Sequence, residues 1–146
     1  MAVRPQQTVS TTTPAAVEFL SKTVQVKRTD TTAFDAFVLP KNAVICGAYV
    51  AGPVTSDAGT SAIIDIGTNP GTADEIVDSF DVKTNGKGYF AVGSAGGTTQ
   101  GTQITADTLY KAKYTESGTA STAGGPWIVK VEYYIPQQGY SFWLSD

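Results

Sequence analysis

Trp127-Ile128-Val129-Lys130-Val131-Glu132-Tyr133-Tyr134-Ile135 places Trp127, Val129, Val131, Tyr133 and Ile135 on one side and Lys130 and Glu132 on the other. Successive side chains of a strand point to opposite faces, so this alternation predicts a half-buried β-strand with one wet face. Upstream, Gln103–Tyr114 does the same: Ile104, Ala106, Thr108, Tyr110, Ala112 and Tyr114 alternate with Thr105, Asp107, Lys111 and Lys113. Two long strands therefore close the chain's folded part, and the stretch between them, Glu116–Pro126, is Gly-, Ser- and Thr-rich. With few apolar groups to hold it, that stretch is expected to be a flexible connection or an exposed tip.

Working outward, the same period recurs. Thr23–Arg28 offers Val24 and Val26 to one face, and Ala33–Leu39 is stopped by Pro40, which cannot donate to a ladder. Ala43–Val50 is apolar on both faces, and Ser61–Ile66 offers Ala62, Ile64 and Ile66 to a core while Asp65 faces away. Asn85-Gly86 is a turn dipeptide that leads into a short strand at Gly88–Val92. Only Thr72–Phe80 reads as helical, with Thr72 and Glu75 at capping-box spacing and Ile76, Val77 and Phe80 on one face. Seven to nine short strands punctuated by 15 glycines predict an all-β fold: an antiparallel β-sandwich or jelly roll with one short helical insertion. Residues 1–20 are polar and Thr-rich without a sustained period until Val17, and are expected to form an extended N-terminal arm ahead of a sandwich domain at 21–146.

Composition excludes several classes of function. The 146 residues carry 10 Lys+Arg against 13 Asp+Glu, a net charge of -3 without a basic cluster, so no nucleic-acid partner is expected. No run approaches the roughly 18 apolar residues of a membrane span, and Met1–Gln7 lacks the features of a signal peptide, so no membrane partner is expected. Without histidine there is no imidazole for a triad, a zinc site or a proton relay. The one cysteine, Cys46, lies in the apolar strand and reads as a structural thiol. No enzyme activity, cofactor or metal is expected.

Two constellations stand out. Asp57, Asp65, Asp74, Glu75, Asp78 and Asp81 form an acidic stretch without Lys or Arg. Their spacing does not fit an EF-hand loop, and a glycosidase pair depends on a separation that spacing does not supply, so a solvated loop is the expectation. The second is aromatic. Tyr134 sits on the polar face of its strand, while Tyr140, Phe142 and Trp143 crowd the C-terminus. Together with Phe19 and Leu20, which would anchor the arm, they are candidates for subunit contact, with a sugar platform as the competing use.

The Thr-rich arm, Phe37-Val38-Leu39-Pro40-Lys41-Asn42-Ala43-Val44-Ile45 and Ile64-Asp65-Ile66-Gly67-Thr68-Asn69-Pro70-Gly71-Thr72-Ala73-Asp74 resemble segments of small structural proteins of tailed bacteriophages. The resemblance spans Thr23 to Val92. It implies a capsid decoration, or cement, protein: a β-sandwich, usually a homotrimer, made in the host cytoplasm and seated on the outer capsid surface of the virion with the major capsid protein as partner. Head-fibre or tail-fibre receptor-binding modules are the related alternative, although the chain has no stalk; a carbohydrate-binding module is the other.

Overall fold

A computed structural model describes residues 18–91 and 103–136. Eight strands follow in order: β1 (Leu20–Val26), β2 (Phe34–Leu39), β3 (Val44–Ala51), β4 (Ser61–Gly67), β5 (Val77–Asp81), β6 (Lys87–Ala91), β7 (Thr108–Ser117) and β8 (Trp127–Tyr134). They form two four-stranded antiparallel sheets, ordered β1-β8-β3-β6 and β2-β7-β4-β5. The inner faces of the two sheets supply the core, including Val26, Leu39, Ile45, Val50, Ile64, Ile66, Val129 and Val131. Val26, Ile64, Ile66, Val129 and Val131 are residues that the alternating pattern turns inward, and each fully buried aliphatic contributes about 1.5–3 kcal/mol. The all-β sandwich expected from the sequence is therefore the fold. Residues 1–17 of the expected arm and the loop residues 94–101 lie outside the described residues.

The expected helical insertion at 72–80 is not formed. Backbone N–H groups of Thr72 and Ala73 turn back onto the carbonyl of Asn69, at 2.9 and 2.7 Å, and Gly71 adopts φ +92°. Glu75 does not cap Thr72: its carboxylate accepts from the Thr68 N–H at 2.7 Å and from the Thr68 hydroxyl, closing the mouth of the loop. Ile76 then donates to the Ile66 carbonyl at 3.0 Å, and β5 pairs with β4 through Ile66↔Val77 and Ile64↔Phe80. An isolated two-turn helix is marginal in water, whereas the free edge of β4 offers hydrogen bonds and apolar neighbours to the same residues.

Three further expectations are modified. Asp65 does leave the core side of β4, but it is only 2% exposed, because the 68–79 segment folds over it. The 116–126 stretch is the exposed tip expected, but polar groups hold it in place. Asp57 Oδ1 accepts from the Thr122 and Ala123 N–H groups at 2.8 and 2.9 Å, and its Oδ2 accepts from Thr122 Oγ1 at 2.7 Å. Arg28 Nη1 adds a 2.9 Å bond to the Ser121 carbonyl, and Gly125 N–H reaches the Val54 carbonyl at 2.9 Å. The strand expected from Gln103 starts at Thr108; Gln103 itself makes an isolated bridge to Val44.

Candidate functional site

β1 and β8 pair through Leu20↔Tyr133 and Val26↔Trp127, which places the start of the described chain and its end at one corner of the β1-β8-β3-β6 sheet. There the rings of Phe19 and Tyr134 meet edge to face, with centroids 5.9 Å apart and planes at 84°. This is a favoured arrangement for two ring quadrupoles. Phe19 is 64% exposed, so the pair stands out from the sheet. Leu20, by contrast, is half-buried and packs inward against the core, on the opposite side of β1 from Phe19. Of the aromatic candidates, Phe19 and Tyr134 are brought together; Tyr140, Phe142 and Trp143 lie outside the described residues.

The outer face of this sheet carries residues that the sequence did not single out. Ile128 and Tyr49 are 43% and 42% exposed. Between Ile128 and Tyr134 on β8 lie Lys130 and Glu132, with Nζ and Oε2 3.7 Å apart and the Lys130 Nζ 5.9 Å from the centre of the Tyr49 ring. The signal for Ile128 was present, since strict alternation assigns it to the Lys130 side. Tyr49 carried no such signal, because its neighbours in Ala43–Val50 are apolar in both phases.

The acidic stretch divides into separate roles. Asp57 is the clasp of the 118–126 loop, and hydrogen bonds from the Ala123 N–H and the Thr122 hydroxyl and N–H hold its carboxyl down to about 2. Asp81 Oδ1 accepts from the Lys83 and Thr84 N–H groups at 2.8 and 3.0 Å, closing the β5–β6 turn. Asp65, Asp74 and Asp78 each present one carboxylate oxygen within 4.8 Å of the others. Desolvation pushes the Asp65 carboxyl above its ordinary range, against the pull of the Ser79 N–H, and the neighbouring carboxylates add to it; Asp74 is raised for the same leading reason. Asp65 already accepts from the Ser79 N–H and Asp74 from the Gly71 N–H, both at 2.7 Å. Lys113, opposite Asp65 in the β4–β7 register, offsets only a part of both rises. The cluster is a like-charge group that fastens the β4–β5 connection.

Cys46 is half-buried, and burial, then the Glu132 charge, raises its pKa. A thiol so placed is a poor nucleophile.

No protein-family model matches this chain, and no curated protein matches it. Solved structures do. One similar chain belongs to the acid-stable capsid structure of Helicobacter pylori bacteriophage KHP30: TM-score 0.60, 11% identity, 82% of this chain and 89% of that one covered. Another belongs to the capsid asymmetric unit of cyanophage Pam1: TM-score 0.56, 19% identity, with 82% and 85% covered. The chain thus shares its fold with chains found in two bacteriophage capsid structures.

Proposed function

We propose that this protein is a structural component of a bacteriophage virion that decorates and cements the outside of the capsid as a homotrimer. The observation that carries the reading is the strand order. β1-β8-β3-β6 over β2-β7-β4-β5 supports reading the sandwich as a jelly roll, an architecture of viral capsid and lectin domains. Its likeness to chains in two phage capsid structures, over more than four-fifths of its length, supports the capsid branch over the lectin one.

The mechanism would be mechanical. A sandwich of this length can bury enough core to fold without a disulfide or metal. The described chain starts and ends near the Phe19–Tyr134 pair, so that corner is the place where an N-terminal arm anchored by Phe19 would meet the major capsid protein. Joining several such weak attachments on one trimer raises the effective concentration of each and slows release.

The test is co-sedimentation of the purified protein with empty shells of the major capsid protein from the same phage. Saturable binding in multiples of three, weakened when residues 1–16 are deleted from a chain that still folds, is the expected result. No binding to shells, together with specific hits on a glycan array, would replace this reading with the carbohydrate-binding one.

A further inference from the structure

We infer that the outer face of the β1-β8-β3-β6 sheet is a two-fold contact surface for a second copy of this chain. Along β8 the outward row reads Ile128, Lys130, Glu132, Tyr134: apolar, positive, negative, apolar. Such a row is complementary to itself when reversed. A two-fold axis lying in the contact plane, perpendicular to the strands and passing over Val131, sets Lys130 against Glu132 of the second copy and Ile128 against Tyr134. The neighbouring strand obeys the same operation. In the β3–β8 register Gly47 lies beside Glu132 and Tyr49 beside Lys130, so the exposed Tyr49 of one copy falls over Gly47 of the other, which projects no side chain. A closed dimer requires this self-complementarity of one patch.

The composition of the face agrees. Phe19, Tyr49 and Ile128 are all more than 40% exposed here, and aromatic residues are enriched in protein contacts. Lys130 and Glu132 are 45% and 29% exposed, so neither is committed to the interior. Two aligned sheets stacked about 10 Å apart would bring the opposed side chains into contact.

The size of the face sets the strength. Strands about 4.8 Å apart and roughly seven residues long give a four-stranded face of roughly 450 Å². That is at the low end for specific contacts, so the dimer is concentration-dependent and becomes firm where copies are crowded or anchored side by side. The inference does not rest on the trimer: the unit that doubles is whichever one exists in dilute solution.

The experiment is sedimentation velocity on the full chain over a concentration series up to roughly 1 mM, the range in which a contact of this size registers. The wild type is expected to double its mass as concentration rises, and added salt to weaken the doubling. K130E sets Glu against Glu across the axis, and E132K sets Lys against Lys; each is expected to lower the association constant at least about tenfold. Mixing the two variants restores opposite charges at both positions, so the mixture is expected to associate as the wild type does. That rescue also shows that both variants are folded. Doubling that both variants retain, or a mixture that stays dissociated, overturns the two-fold contact. A wild type that never doubles assigns the face to another occupant, either residues 137–146 of the same chain or the capsid shell, and overturns it as well. Capsid binding measured by co-sedimentation reports separately on the virion reading.

Discussion

Tyr114 on β7 stacks against Trp127 on β8, with ring centroids 5.6 Å apart and planes at 13°, and so joins the two sheets through one pair of rings. The Tyr114 hydroxyl donates to Glu116 Oε2 at 2.7 Å and lies 2.7 Å from Ser56 Oγ. A phenol has one proton to give, so Ser56 is the donor in the second bond. The same side chain thus supplies apolar contact and polar closure at one end of the sandwich.

Removing the hydroxyl alone should separate these contributions. Tyr114→Phe keeps the stack but leaves the buried Ser56 Oγ without its acceptor, so a loss of about 1–2 kcal/mol is expected. Trp127→Ala removes the buried indole and should cost about 3–5 kcal/mol. Urea unfolding midpoints measure both; equal losses would mean that the buried indole with its stack stabilises the fold no more than the hydroxyl does.

Gly52 lies against the same indole. A Cβ there would sit 2.3 Å from Trp127 Cδ1 and 2.9 Å from Nε1. Gly52→Ala must displace a packed ring, and a destabilisation of about 1–3 kcal/mol is expected from overpacking. An alanine variant as stable as the wild type would show that the ring can move aside.

Asp57 should make the 118–126 loop acid-sensitive. Its carboxyl is lowered in the fold from 3.8 to about 2, so its stabilisation is fully present above pH 3.8 and is lost as pH falls toward 2. Asp57→Ala should speed hydrogen exchange at the Thr122 and Ala123 amides at neutral pH and flatten the loss of stability between pH 4 and 2. Unchanged exchange at those two amides would remove Asp57 from the role of clasp.

Asp65 works in the opposite direction. Its folded pKa is raised above 3.8, so the folded state takes up a proton more readily than the unfolded chain. Stability contributed by the protonated form is present below pH 3.8 and is lost as pH rises through the folded value. Thermal midpoints should therefore rise as the protein is taken from neutral pH toward 4, before the Asp57 loss sets in. Asp65→Asn, which keeps an acceptor for the Ser79 N–H, should raise the midpoint at pH 7 and shrink that acid gain. A steeper acid gain in this variant would assign the effect to another group.

The alternation in Trp127–Ile135 and Gln103–Tyr114 determined the sheet class and, residue by residue, which side chains enter the core: Trp127, Val129, Val131, Tyr110 and Tyr114 are all buried. That is a local property, since the period of a strand depends only on adjacent residues. The partners of each strand were decided by contacts between remote segments, and so was everything that followed from them. Ile76, Val77 and Phe80 suit a helix face or a strand edge equally well, and the free edge of β4 settled it. Asp65 was legible as outward-facing but not as covered, because the fold of the 68–79 segment that brings the Ser79 N–H onto it depends on β5 pairing with the edge of β4. The 118–126 loop looked loose because the groups that hold it, Arg28, Val54 and Asp57, are far off in sequence. The outer face followed the same division. Tyr134 was visible as an aromatic on a wet face, but its meeting with Phe19, and the alignment of Tyr49 beside Lys130, exist only once β1, β8 and β3 lie side by side.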